Sequence, residues 1–173
     1  VIIRDENGKY QLNKDKEALK SYLEDYIEPK MKKFDNLNDR LNYLVENDYY
    51  SKEILDLYDQ YVIDVIYDFI RAKNFKFQSY MSASKFYQNY ALKSNDGEEI
   101  LENYEDKVLI VALTLGNGEP KLAKDIAEKL INQEFQPATP TFLNAGRARG
   151  GKMVSCFLVN VEDSCEGISY EIG

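Results

Sequence analysis

Histidine is absent from this chain, cysteine occurs twice and proline four times, and each scarcity closes off a class of explanation. With no histidine and two cysteines, a zinc site would have to lean on carboxylates. No ligand spacing for one occurs, so no bound metal is expected. Two cysteines cannot build the disulfide framework of a small secreted domain, so a reducing, cytoplasmic setting is the default. No apolar run reaches the roughly 18 residues that a membrane-spanning helix needs, so no membrane partner is expected. Positive charge is also short: 22 Lys and Arg stand against 30 Asp and Glu, a net of −8. That balance argues against a nucleic-acid grip, because neutralising phosphates takes clustered cations. The first residues read as neither a signal nor a transit peptide. Gly116-Asn117-Gly118 lacks both a P-loop lysine and a preceding strand, so it is no phosphate cradle. Internal repeats and low-complexity tracts are missing as well.

What is present suits a globular protein: 173 residues, 44% hydrophobic and 30% charged, enough for one domain with a core or one domain plus part of another. The chain opens on Val1 without a Met and stops at Gly173 inside a segment that reads as entering a helix, so a fragment of a longer polypeptide is expected.

After a lead over residues 1–12, with a turn at Asn7-Gly8, apolar residues recur with helical period. A first helix is expected over residues 14–27, with Asn13 as its N-cap and Pro29 as its stop. A second over 37–46 carries Leu37, Leu41, Leu44 and Val45. The third, over 59–72, has the widest apolar face and is expected at the centre of the bundle. Ser82 can cap a helix holding Phe86, Tyr87 and Tyr90. Two more follow: one over 106–115, and one after Pro120 with Leu122, Ile126 and Leu130 in a row beside Ala123 and Ala127. Gly116-Asn117-Gly118 separates them, and Pro120 suits a first helical turn.

From Pro137 the character changes. A proline-fixed, hydroxyl-rich loop runs to Lys152. Residues 153–161 are then apolar at nearly every position, the pattern of a strand buried on both faces. A helix is expected to begin after Glu162-Asp163-Ser164, as in the first crossover of an α/β unit. The expected architecture is a mainly α domain over residues 1–135, and over 136–173 the opening of an α/β domain that this chain does not finish.

Several side chains could carry chemistry. Cys156 reads either as a small buried hydrophobe or as a redox or nucleophilic thiol. Cys165 reads as an incidental thiol, or as a thiolate favoured by a helix start. A bridge between the two is conceivable, although a strand and short turn carry them apart. Thr139 and Thr141 fit either turn chemistry around Pro140 or hydrogen bonds to a ribose or phosphate. Arg147, Arg149 and Lys152 could attract an anion; a solvated loop is the plainer account. Tyr49-Tyr50 reads as partly exposed aromatics at a helix end.

The run Gln133-Glu134-Phe135-Gln136-Pro137-Ala138-Thr139-Pro140-Thr141-Phe142-Leu143-Asn144-Ala145-Gly146, followed by Val154-Ser155-Cys156-Phe157-Leu158, resembles the large (alpha) subunit of class I ribonucleotide reductase, most closely the class Ib type. The resemblance continues upstream through Tyr80-Met81-Ser82-Ala83-Ser84-Lys85-Phe86-Tyr87 and Tyr90-Ala91-Leu92-Lys93 to Lys9-Tyr10. It implies a helical domain leading into the first strand of a ten-stranded α/β barrel, here incomplete. It also implies that Thr139, Ser155 and Cys156 contact a ribonucleoside diphosphate, and that Cys156 is one of the redox pair that reduces the ribose 2′ position. The second thiol of that pair would lie beyond Gly173, and Cys165 does not match it. The Asn-x-Cys-x-Glu segment with the thiyl-radical cysteine, the radical-relay tyrosines and the C-terminal cysteines do not occur here, so the fragment alone is expected to be inactive. By the same resemblance this chain binds no cofactor itself. The radical comes from a dimetal–tyrosyl radical small (beta) subunit, electrons come from a thioredoxin- or glutaredoxin-like reductant, and the complete subunit forms an alpha homodimer regulated by deoxynucleotide and ATP effectors. Two other classes stand beside this reading: a non-catalytic helical module docking onto a complementary fragment, and a thiol oxidoreductase using Cys156 and Cys165, which lacks Cys-x-x-Cys spacing.

Overall fold

A computed structural model of the protein describes residues 12–156. Helix α1 spans Leu12–Ser21, and the backbone stays helical through a π turn at Tyr22–Ile27 and a 3-10 turn at Glu28–Lys30. Then come α2 (Leu37–Glu46), a one-turn α3 (Lys52–Leu55), α4 (Gln60–Ala72), α5 (Tyr80–Asn89), α6 (Tyr104–Gly116), α7 (Pro120–Ile131) and a short α8 (Thr139–Asn144). No strand occurs among the described residues; extended pairing there is confined to isolated bridges at Met31–Ile100, Lys93–Ile100 and Tyr50–Arg147. No helix among them is long and apolar enough to cross a membrane.

The centre of the bundle is α6, not α4. Every residue from Asp106 to Leu113 is buried, whereas α4 buries Ile63, Ile66 and Ile70 and leaves Val65 exposed. At roughly 1.5–3 kcal/mol for each buried large aliphatic side chain, Val108, Leu109, Ile110, Val111 and Leu113 outweigh the three isoleucines of α4. A helix apolar on all sides belongs inside, while a wide stripe with polar gaps belongs on a wall. α6 starts on a reciprocal cap: the Asn103 side chain accepts from the Asp106 N–H at 2.8 Å, and the Asp106 carboxylate accepts from the Asn103 N–H at 2.9 Å. It stops where Asn117 turns left-handed at φ 46°. The Tyr58 hydroxyl closes that end, donating to Leu113 O at 2.8 Å and accepting from the Gly118 N–H at 2.9 Å. α7 begins with Pro120 in its first turn and packs on α6 through small residues: a Cβ on Gly116 would stand 2.7 Å from that of Ala123. Its buried row is therefore Ala123, Ala127 and Leu130, and Leu122 faces solvent.

Two expected caps move. Helical backbone is already present at Leu12, which places Asn13 inside α1. α5 is capped by Ser79, whose hydroxyl accepts from the Ser82 N–H, and Ser82 is the reciprocal partner three residues on. Beyond α5, Phe75, Phe77, Phe86, Tyr104 and Phe142 form an aromatic cluster; Phe75 stacks on Tyr104 at 4.1 Å between centroids. Phe142 carries α8 into that cluster, so the segment after Pro137 is packed on the helices.

Candidate functional site

The segment read as a loop from Pro137 to Lys152 holds the six-residue helix α8, with Thr139 and Pro140 in its first turn. Proline is compatible with that position because the first helical N–H groups need no intrahelical acceptor. One face of the segment is buried through Pro137, Phe142, Ala145 and Gly146. Gly146 has φ +71°, and a Cβ there would meet Ile110 Cγ1 at 2.1 Å, so backbone lies directly on α6. The Gly146 carbonyl accepts from the Ser51 N–H at 2.9 Å, and the Ala148 N–H donates to Tyr49 O at 3.1 Å. Downstream, the Thr141 hydroxyl donates to Met153 O at 2.9 Å and the Asn144 amide to Lys152 O at 3.1 Å. These bonds hold the chain against α8 just before Ser155-Cys156.

Residues 153–156 are exposed and irregular. Read from the sequence as the start of a buried strand, this stretch has its first carbonyl, at Met153, bonded to the Thr141 side chain of α8, as the preceding Lys152 carbonyl is to Asn144. Cys156 is a free, exposed thiol. The rest of the expected strand, the helix after Ser164, Cys165 and the Asn7-Gly8 turn lie outside the described residues. Thr139 is exposed, its hydroxyl 3.4 Å from that of Tyr90.

The loop is anchored by a carboxylate that sequence reasoning missed. Glu102 and Lys107 are both 0% exposed. Around Glu102 gather the Tyr50 hydroxyl at 2.5 Å, the Leu92 N–H at 2.9 Å, Arg147 Nη2 at 3.0 Å and Lys107 Nζ at 3.3 Å. Beside it, buried Arg40 donates to Leu101 O at 3.1 Å and lies 3.4 Å from Asp106, which also accepts from the Tyr67 hydroxyl at 2.8 Å. Arg147 is thus no solvated loop cation; its guanidinium is turned inward. Arg149 does face solvent, paired with exposed Asp48 at 2.8 Å. Tyr50 is buried, unlike its neighbour Tyr49. Glu102, Asp106 and Lys107 look like ordinary surface charges at a helix start, and nothing local in the sequence distinguishes them.

The electrostatics follow from that crowding. Burial pushes the Glu102 carboxyl up, but Lys107, Arg147, the Tyr50 hydroxyl and Arg40 together outweigh it and bring its pKa down to about 2. Burial lowers Lys107 to about 8; Glu102 pulls it back upward only in part, because that carboxylate is shared with two arginines that also repel the ammonium. Burial also works against the charge of Arg40, yet Asp106, Tyr50 and Glu102 more than offset it and keep the guanidinium charged. Burial and the adjacent Glu102 raise Tyr50 well above its ordinary value, so it stays a donor. Three cations share two carboxylates here; Arg40 Nη1 and Arg147 Nη1 have no hydrogen-bond partner among the described residues, and Lys107 Nζ has its ion pair with Glu102 at 3.3 Å.

An open cleft of about 320 Å³ runs beside the loop, lined by Tyr49, Tyr90, Lys93, Asn144, Arg147 and Arg149 among others. A larger hollow of about 610 Å³ lies between α2, α3 and α4; Leu41 and Val45 of the expected apolar stripe line it, and none of the side chains read as candidates for chemistry does.

Comparison with known proteins gives two family matches and several relatives. Residues 1–75 match the ribonucleotide reductase N-terminal family model, and residues 76–150 match that of the ribonucleotide reductase all-alpha domain. The ribonucleoside-diphosphate reductase subunit alpha of Bacillus subtilis (strain 168) is 52% identical over 171 residues, covering 99% of this chain and 24% of the relative. The NrdEB subunit alpha of Bacillus phage SPbeta is 50% identical over 171 residues, 99% of this chain and 16% of its own length. The subunit alpha of Mycoplasma genitalium is 42% identical over 158 residues, 91% of this chain and 22% of its own. The chain spans about a quarter or less of the length of these relatives.

Proposed function

We propose, from the premise that this chain belongs to the ribonucleotide reductase family through the two domains it carries, that it is the N-terminal part of a class Ib ribonucleoside-diphosphate reductase alpha subunit. Residues 1–135 form the helical domain, and 136–173 open the catalytic α/β barrel. Thr139 and Ser155 hold the substrate, and Cys156 is one of the two thiols that reduce it. The observation that carries the reading is the tether from α8 to the chain at Lys152 and Met153, which keeps exposed Ser155 and Cys156 next to the helix that begins with Thr139.

In that chemistry the Cys156 thiol protonates the departing 2′-hydroxyl, which leaves as water. Cys156 and a second thiol from outside this chain then lose two electrons as a disulfide forms between them, and an external thioredoxin- or glutaredoxin-like dithiol reduces it again. The radical that starts the reaction comes from a small beta subunit carrying a dimetal–tyrosyl radical. In this reading the chain contributes positioning and one thiol. Deoxynucleotide and ATP effectors, an alpha homodimer and a cytoplasmic setting belong to the same reading.

The test is the full-length polypeptide assayed with a class Ib small subunit, wild type against Cys156→Ser. Wild type should make deoxynucleotides over many turnovers, the variant should not, and residues 1–173 alone should make none. Sustained turnover by Cys156→Ser would remove the thiol from the mechanism.

A further inference from the structure

We propose that Arg147 is a positioning residue for Thr139, held in place by Glu102; the inference rests on the reading above that Thr139 contacts the substrate. Three bonds from one guanidinium carry it. Nε donates to Leu143 O at 3.3 Å, gripping the last turn of α8. Nη2 donates to Glu102 at 3.0 Å and lies 3.4 Å from Tyr90 O. Tyr90 in turn places its hydroxyl 3.4 Å from Thr139 Oγ1 and its ring against Phe142, 5.6 Å between centroids. Arg147 therefore holds both ends of the arrangement, the helix that carries Thr139 and the tyrosine that meets its hydroxyl.

The reference frame for this grip is rigid. Glu102 is fully buried, and besides Arg147 it is fixed by Tyr50, Leu92 and Lys107, which come from three other segments. Backbone bonds at Gly146 and Ala148 set the height of the loop, while Arg147 sets how α8 sits relative to Tyr90. Lysine cannot replace it: a compact ammonium reaches one of the acceptors but cannot bridge Glu102, Leu143 O and Tyr90 O together.

The experiment is steady-state kinetics of the full-length polypeptide with its radical-generating subunit, comparing Arg147→Lys with wild type. The expected result is a KM for the ribonucleoside diphosphate raised about tenfold, with kcat within about threefold and Tm within a few degrees, because misplacing a binding group costs affinity before it costs chemistry. In this chain, amide exchange over residues 141–148 should quicken in the variant while α6 stays protected. An unchanged KM, with kcat and Tm falling together, would overturn the proposal. Should Arg147→Lys not fold, Tyr90→Phe takes its place: it keeps the ring and the carbonyl but removes the hydroxyl beside Thr139. It should raise KM several-fold at unchanged Tm, and an unaltered KM counts against the proposal. Thr139→Ala separates the two claims. If it leaves KM unaltered, the substrate reading fails, and the exchange measurement alone decides whether Arg147 holds the loop.

Discussion

Replacing Glu102 by glutamine keeps the shape of the side chain and removes one charge, leaving Arg147 and Lys107 buried without their carboxylate. Breaking one side of a buried ion pair costs about 3–5 kcal/mol. The acid equilibrium of the group, set by the same partners, points the same way. Glu102 falls from an ordinary 4.5 to about 2 on folding, which corresponds to about 3 kcal/mol of stability. Because the folded-state value lies below the unfolded one, that contribution is whole above about pH 4.5 and is lost as pH falls towards 2. Lys107 works in the opposite direction: its folded-state value of about 8 lies below the ordinary 10.5, so stability rises as pH climbs between the two. The assay is urea unfolding followed by far-UV circular dichroism across the acid range. Glu102→Gln should lose about 3–5 kcal/mol at neutral pH, with a drop in Tm on the order of 10 °C. The gap to wild type should then narrow between pH 4.5 and 2, since the unfolded wild-type chain takes up a proton there that folded Glu102 does not. Adding Arg147→Met should recover part of the loss by removing a stranded cation. A neutral-pH difference below about 1 kcal/mol, or one that stays constant through the acid range, would refute the assignment of Glu102 as the charged anchor.

Two further substitutions test the packing. Gly146→Ala forces a Cβ into Ile110 at 2.1 Å and a side chain onto φ +71°; the left-handed conformation and the overpacking each cost about 1–3 kcal/mol, so thermal unfolding should show a loss of several kcal/mol. A variant as stable as wild type would mean that the loop does not lie on α6 as described. Tyr58→Phe removes the hydroxyl that both satisfies Leu113 O and accepts from the Gly118 N–H, and denaturant unfolding should register a loss of about 1–3 kcal/mol.

Helical period alone located α2, α4, α6 and α7 to within a residue or two, because their apolar residues repeat strongly and Pro120 and Asn117-Gly118 punctuate the chain. Errors arose where partners distant in sequence decide the outcome. Ser79 and Ser82 are both acceptable caps locally, and only the chain's path into α5 selects the first. The face of α4 looked central until α6, apolar on every side, was weighed against it. Prolines 137 and 140 suggested a rigid loop, yet the second sits in a helical first turn that Phe142 buries. Of the candidate site, Thr139, Ser155 and Cys156 were legible as a motif. Glu102, Lys107 and Arg147 were not, since burial of a charge depends on which cations and carboxylates meet in space, and composition around each one looks like ordinary surface.

Glu102 also bears on how the polypeptide can be divided. Its partners span residues 50 to 147, and the neighbouring pair joins Arg40 to Asp106. The two stretches matched by separate family models, which meet between residues 75 and 76, are stitched across that junction by Tyr50 to Glu102, Tyr58 to Leu113 and Tyr67 to Asp106. The point where the two family models meet is thus not a gap in the packing. A chain severed there would strand Arg40 in one half and Asp106 in the other, so residues 1–75 expressed alone should not hold the packing seen in the intact chain.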